Sequence, residues 1–223
     1  EGRTDHWKQK REMGGGVIYD MGVYAIQGAR LGSGMEPIAV NAAKVWTERP
    51  EIYKDGLGEI VEAQLEFPGG VIGNIKTSFA ENTNFLNIKC EKGLIEMAPF
   101  SAYSGNKGKS PLGEINFPYQ VPWQQANQMD MDSLAIMGGK PMPVPGEEGL
   151  RDIRIVNAIL ESQKAWDHQL GSVANGAHRA VFDHNTLVIG QQLVQSKILG
   201  IHGIDQCLQF GHRFFERGRH SLI

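Results

Sequence analysis

Two alternating segments joined by a Pro-Gly-Gly turn constrain the fold of this chain most strongly. In residues 61–67 every odd position is apolar and every even position is polar. Pro68-Gly69-Gly70 then turns the chain, and residues 71–79 return with the same period. A period of two predicts strands with one buried face, and so short a turn predicts antiparallel pairing. The chain therefore has to build a sheet with one apolar and one polar face.

The remaining pattern surrounds this hairpin with further strands and with helices. Strands are predicted around Ile38, Val40 and Ala42, over residues 85–91, and over residues 94–97 after a tight turn at Lys92-Gly93. Apolar residues at three- and four-residue steps predict helices: one over 17–31, one over 123–137, and one after Pro145 with Leu150, Ile153, Val156, Ile159 and Leu160 on its buried face. Residues 106–109 are interpreted as a basic loop without the P-loop pattern. A helix, an antiparallel sheet and then helices indicate the α+β class.

Composition excludes several classes of protein. Hydrophobic residues make up 41% of the 223 residues and charged residues 21%, which is typical of a globular chain and not of a disordered one. The net charge of −3 argues against a dedicated nucleic-acid binder, and no apolar run approaches the ~20 residues that span a bilayer. With 2 cysteines and no standard ligand spacing among the histidines, we expect neither a disulfide scaffold nor a metal site.

Asp20 and Tyr24 are the first candidates for chemistry. They stand four apart on the predicted first helix, so their side chains share a face. We expect Gly14-Gly15-Gly16 just upstream to leave that face open to a ligand. A phenol beside a carboxylate suits proton transfer. Such pairs are also ordinary on helix surfaces, and on these residues alone the structural interpretation outweighs the catalytic one.

A longer motif around these two residues resembles a known family. Gly14 to Tyr24 reads GGG-x-x-x-D-x-G-x-Y, which resembles the start of the C-terminal domain of the Gfo/Idh/MocA family. Colinear similarity continues, over residues ~7–166, through Gly28-Ala29-Arg30, Glu36-Pro37-Ile38-Ala39-Val40, Phe67-Pro68-Gly69-Gly70, Met97-Ala98-Pro99 and the segment 145–154. Tyr24 stands where inositol dehydrogenases usually have His, which is similar to the glucose–fructose oxidoreductase branch.

The resemblance implies both a fold and an activity. The implied fold is an open, mainly antiparallel sheet with helices packed on one face, and the implied activity is hydride transfer between a sugar or polyol hydroxyl carbon and NADP or NAD. It makes Tyr24 the acid/base, Asp20 its substrate-binding partner, and Tyr103 a residue near the nicotinamide. It further implies a homodimer or homotetramer formed through the sheet face. We expect no nucleic-acid or membrane partner, no metal, and a cytoplasmic enzyme, with the periplasm left open.

The same resemblance divides the chain. Residues 1–166 match the substrate-binding and oligomerisation domain, and we expect the Rossmann domain, with the lysine of the family's E-K-P motif, upstream of Glu1. Residues 167–223 are unmatched: 6 of the 7 histidines lie there, and all 10 prolines lie before it. We interpret that segment as a disordered or helical tail, or an artefact of the reading frame. The alternative function is a non-catalytic carbohydrate-binding or oligomerisation module, against which retention of Tyr24 argues.

Overall fold

An open sheet forms the frame of the molecule in the computed structural model, which describes residues 6–117, 123–173 and 193–195. Within those residues the sheet has eight strands in the order β1-β2-β3-β8-β4-β5-β6-β7. The strands are β1 Ala39–Trp46, β2 Ile60–Phe67, β3 Val71–Ser78, β4 Leu86–Cys90, β5 Gly93–Met97, β6 Asn106–Ser110, β7 Gly113–Phe117 and β8 Leu193–Gln195. Every pairing is antiparallel except β4 with β8. The α+β class and the open, mainly antiparallel sheet are confirmed.

The central hairpin follows the predicted alternation. β2 pairs with β3 from Ile60 opposite Ser78 to Phe67 opposite Val71, and its odd positions are buried. Gly69 and Gly70 take positive φ values of 76° and 75° in the turn, a conformation that glycine adopts without steric cost. The buried faces of these strands make the floor of the hydrophobic core.

In the described part of the chain three α-helices and one π-helical turn accompany the sheet. The π-helical turn Ile18–Gly22 leads into α1 Val23–Ser33, and α2 Trp123–Met137 and α3 Gly146–Val173 follow the last hairpin. Ala25, Ile26 and Ala29 of α1 are buried in the same core as Ile155, Val156 and Ile159 of α3. Helices α1 and α3 therefore cover the apolar face of the sheet.

Some predicted details are wrong. On α3 Leu150 and Ile153 are exposed, and the buried stripe includes Asp152 instead, because that carboxylate reaches Arg30 of α1. In β1 the register shifts between Val40 and Ala42, so the predicted alternation does not hold there.

The segment 106–109 is also not a loop. It forms strand β6, and the backbone of Gly108 lies so close to the carbonyl oxygen of Glu96 that a Cβ could not fit. A short β6–β7 hairpin therefore extends the sheet beyond the predicted strands.

Strand β8 is not anticipated by the sequence. Its residues lie in the segment interpreted as an unmatched tail, and they pair with β3 on one side and β4 on the other. Helix α3 likewise continues past residue 166, the expected domain boundary. The rest of the tail lies outside the described residues, so the division at residue 166 stays a prediction.

Candidate functional site

The predicted pair lies where the π-helical turn passes into α1. Asp20 belongs to the turn, and Tyr24 is the second residue of the helix. Gly22, between them, has no room for a side chain, since a Cβ there would lie 2.6 Å from Cδ1 of Ile18 and 3.5 Å from Cγ2 of Thr77. The glycine thus lets the turn pack directly on β3. Wide turns of this kind occur mostly as single turns within helices, frequently at functional sites.

The three glycines before this turn bring two pieces of backbone together. The Gly15 amide donates to the Lys10 carbonyl and the Gly16 amide to the Lys8 carbonyl, each at 2.9 Å. A Cβ on Gly15 would lie 2.7 Å from both of those carbonyl oxygens. Gly15 and Gly16 are buried under the chain's own N-terminal turn. The glycines therefore let that turn pack beside the helix. They do not form the opening for a ligand that the sequence predicted.

This arrangement places Lys8 on Asp20. The Lys8 Nζ lies 2.8 Å from Oδ2 of Asp20, and the two side chains are 26% and 18% exposed. The ammonium also lies 5.7 Å from the ring centre of Phe79 and 5.9 Å from that of Trp7. Such a half-enclosed pair is screened less by water and salt than one on the open surface. Sequence reasoning missed Lys8; the available signal was a basic residue directly after Trp7 in the run that leads to the glycines.

Tyr24 is more open than its predicted partner. Its side chain is 44% exposed, so a solute can reach the phenol. Tyr19, in the same helical segment, instead places its hydroxyl 3.5 Å from Oδ1 of Asn157 on α3. Two successive helical turns therefore carry the carboxylate of Asp20 and the accessible phenol of Tyr24, and the ammonium of Lys8 lies beside that carboxylate.

The Phe79 ring beside Lys8 is held by an ion pair between a buried glutamate and a partly exposed arginine. Glu59 is fully buried and accepts hydrogen bonds from the backbone amides of Glu48 and Arg49 and from the Arg49 side chain. That last hydrogen bond raises the pKa of Arg49. Arg49 also donates to the Phe79 carbonyl at 3.1 Å, and the Phe79 ring stacks on Tyr53 with centres 5.7 Å apart. The aromatic ring beside Lys8 is thus held in place from the end of the sheet.

Tyr103 lies on a separate loop between β5 and β6 and is 68% exposed. The Asn84 Oδ1 accepts from the backbone amides of Phe100 and Ser101, each at 3.0 Å. Asn106 binds both the amide and the carbonyl of Ala102. The loop is therefore braced on both sides of Tyr103, although among the described residues no hydrogen bond or ring contact joins Tyr103 to Asp20 or Tyr24.

The described residues offer a contact for the nicotinamide ring of a dinucleotide but no binding site for its pyrophosphate. A nicotinamide ring can pack on the exposed Tyr103 ring. Pyrophosphate needs free amides at a helix start, but the amides of Gly15, Gly16 and Val17 already donate to backbone carbonyls. At the start of α3 two glutamates follow Gly146 and repel an anion. In the described part of the chain no three His, Cys, Asp or Glu side chains group as metal ligands, and no helix is long and apolar enough to cross a membrane.

Comparison with known proteins tests the resemblance. The family model described as the GFO/IDH/MocA C-terminal domain matches residues 1–96, which include Lys8, Asp20 and Tyr24. The resemblance to the Gfo/Idh/MocA family is confirmed. The open sheet with helices on one face is the fold that this resemblance implies, and the structure agrees with it. Tyr103 lies outside the residues that the family model matches.

Individual relatives point the same way. The chain is 28% identical over 161 residues to the uncharacterized oxidoreductase ORF334 of Rhizobium meliloti, covering 67% of this chain and 47% of that protein. It is 22% identical over 166 residues to the NADP⁺-dependent D-xylose 1-dehydrogenase of Haloarcula marismortui, covering 72% of this chain and 45% of that enzyme.

A solved structure is also similar. It is the aldose–aldose oxidoreductase of Caulobacter crescentus complexed with glycerol, at 28% identity and a TM-score of 0.64, covering 74% of this chain and 50% of that one. The chain spans about half the length of the curated relatives it matches. These relatives support an oxidoreductase parent.

Proposed function

We propose that this chain is the substrate-binding and oligomerisation half of an NAD(P)-dependent oxidoreductase that acts on a sugar or polyol hydroxyl. The observation that carries the proposal is the accessible phenol of Tyr24, one helical turn after a carboxylate that is itself held by an ammonium. The names of the relatives, a D-xylose 1-dehydrogenase and an aldose–aldose oxidoreductase, support the substrate class and a nicotinamide cofactor.

Tyr24 is the acid/base in this proposal. Oxidation of an alcohol carbon removes a C–H bonding pair and the hydroxyl proton, and the nicotinamide, when bound, supplies the acceptor for the electron pair. The phenolate oxygen of Tyr24 accepts the proton as the C–O bond becomes a carbonyl. In the reverse direction the phenol returns the proton to the carbonyl oxygen. A positioned acid/base of this kind contributes ~10²–10⁴-fold to the rate.

Asp20 orients the substrate. An ionised carboxylate only accepts hydrogen bonds, so it binds hydroxyl groups that donate. Lys8 Nζ lies 2.8 Å from Oδ2 of Asp20, and this charge pairing restricts the directions that the carboxylate can take before a sugar arrives. Such preorganisation lowers the ordering cost of binding and keeps the reacting hydroxyl near Tyr24.

Tyr103 contacts the nicotinamide end of the cofactor in this proposal. Its exposed ring and its braced loop support that role. The rest of the dinucleotide is held by residues outside this chain, in a Rossmann domain of the parent protein. Whether the parent uses NADP or NAD is a property of that domain.

The polar face of the sheet is the proposed contact between subunits. Its side chains pair across strands: the Gln64 Nε2 donates to the Asn74 Oδ1 at 3.1 Å, and Lys76 lies 3.3 Å from Glu62. These satisfied pairs leave a polar surface that a second copy can cover. A homodimer or homotetramer, cytoplasmic or periplasmic, remains the proposal for the assembled enzyme.

The experiment that tests the proposed function is an assay of the parent protein with NAD⁺ and with NADP⁺ on a panel of aldoses and polyols. Formation of NADH or NADPH with at least one sugar is expected. If no compound is oxidised, and no aldose is reduced with either reduced cofactor, while sugars still bind in NMR titrations, the proposal is refuted in favour of a non-catalytic carbohydrate-binding module.

A further inference from the structure

We propose that Lys8 is a second substrate-binding residue, which together with Asp20 grips two adjacent hydroxyls of the substrate. The inference rests on the proposed function, because it specifies what that site binds: a compound with a vicinal diol beside the carbon that reacts.

The Lys8 ammonium and the Asp20 carboxylate have complementary hydrogen-bonding properties. An ammonium offers only donors and a carboxylate only acceptors, whereas a hydroxyl can do both. Lys8 Nζ lies 2.8 Å from the buried Oδ2 of Asp20, and because both side chains keep an exposed part, one solute can reach both groups from the open side. Two neighbouring hydroxyls satisfy this pair fully, one by donating to the carboxylate and the other by accepting from the ammonium. A lone hydroxyl would have to bridge the two groups, whereas a diol gives each group a partner of its own.

The surroundings of the Lys8–Asp20 pair also suit a sugar. Oδ2 of Asp20 is itself buried, yet both side chains keep an exposed part, so the pair is enclosed on one side and open on the other. Trp7 is exposed, and the centre of its ring lies 5.9 Å from Lys8 Nζ. A charged pair flanked by an aromatic ring suits a sugar, because its hydroxyls bind the charges while its C–H groups pack on the ring.

Lys8 could instead serve only to fix the N-terminal turn on the helix. The two roles differ in a measurable way. A structural lysine affects every substrate equally, since it acts before any substrate binds. A lysine that donates a hydrogen bond to one substrate hydroxyl affects only substrates that carry this hydroxyl.

The test compares Lys8→Met with the wild type in the parent enzyme, using the best sugar and its set of monodeoxy analogues. We expect wild type to lose about tenfold or more in kcat/KM for one or two of the deoxy positions, as removal of a charge-assisted hydrogen bond does. In Lys8→Met, for one of these deoxy positions, the ratio of kcat/KM between the sugar and its deoxy analogue should fall to within about twofold of unity. Lys8→Arg should retain part of the discrimination, because it keeps a cationic donor.

Lys54→Met is the matched control, since Lys54 is an exposed lysine on the neighbouring β1–β2 loop. It should preserve the wild-type pattern of penalties. If Lys8→Met lowers kcat/KM for the sugar and for all deoxy analogues by one common factor, the lysine is structural and the inference is overturned. If wild type itself turns over no sugar or polyol, the proposed function fails and the inference falls with it.

Discussion

Arg30 should be the side chain on which the packing of α1 against α3 most depends. Its guanidinium binds Glu36 through two hydrogen bonds of 2.7 and 2.8 Å, Glu148 through one of 2.8 Å and Asp152 through one of 2.7 Å. The Arg30 side chain is only 4% exposed. Hydrogen bonding to Glu36, above all, raises the pKa of Arg30 well above its ordinary value. Arg30→Met keeps much of the side-chain length and removes the charge.

The magnitude follows from what the substitution leaves behind. Removing one partner of a buried ion pair costs about 3–5 kcal/mol, because the other charge stays in a poorly solvated place. Asp152 is the group most affected: burial already raises its pKa, and Arg30 opposes that rise. Glu36 is half-exposed and Glu148 partly so, and water can replace some of their lost contacts. We therefore expect a loss near the lower limit, about 3 kcal/mol.

Urea unfolding of the full chain at neutral pH measures this loss, and Arg151→Met supplies the control. Arg151 touches the same Glu36 and Glu148, at 3.4 and 2.8 Å, but is 49% exposed. A surface pair of this kind contributes about 0–1 kcal/mol. If the free energy of unfolding falls by the same small amount in both variants, the buried ion pairs of Arg30 do not hold α1 against α3, and the reasoning is wrong.

Three further predictions concern pH, the glycine turn and the cofactor. Hydrogen bonding to Arg30 lowers the pKa of Glu36 below its ordinary 4.5, so its stabilisation is present above that pH and lost as the pH falls through the folded-state value. Glu36→Gln should therefore destabilise the chain at pH 7 in urea titrations, and a difference from wild type that persisted unchanged well below pH 4.5 would contradict this. Gly15→Ala should cost about 1–3 kcal/mol in thermal unfolding because of its clash with two carbonyls, whereas Gly149→Ala, which meets nothing within 4 Å, should be neutral or slightly stabilising; equal effects would refute the packing argument. Isothermal titration of this chain alone with NADP should give no micromolar binding, since the pyrophosphate has no amide cradle among the described residues, and a micromolar dissociation constant would overturn that expectation.

Much of the fold could be predicted because period and turn chemistry agree. The hairpin of β2 and β3 needs only the alternation of residues 61–67, a Pro-Gly-Gly turn and the returning alternation. Helix α2 begins and ends at the predicted residues, Trp123 and Met137. In such segments a local pattern fixes both the type and the ends of an element.

Details that depend on distant contacts could not be predicted. Asp152 is buried on α3 only because Arg30, 122 residues earlier in the chain, provides its partner. Lys8 lies beside Asp20 because Gly15, which has no Cβ to clash with the carbonyls of Lys8 and Lys10, lets the N-terminal turn pack against the helix. Strand β6 carries lysines and glycine, and its place between β5 and the edge strand β7 tolerates both. None of these has a periodic signal along the chain.

Replacement of Tyr24 by Phe in the parent oxidoreductase tests the central claim most directly. Phe keeps the ring and removes the exchangeable proton, so packing should survive while proton transfer is lost. The matched control is Tyr19→Phe, whose hydroxyl contacts Asn157 of α3 and faces no proposed chemistry. We predict that Tyr24→Phe lowers kcat on the best sugar on the order of 10²-fold or more, with cofactor binding nearly intact, and that Tyr19→Phe retains kcat. A Tyr24→Phe enzyme that turns over its best sugar at the wild-type kcat would contradict the assignment of Tyr24 as the acid/base.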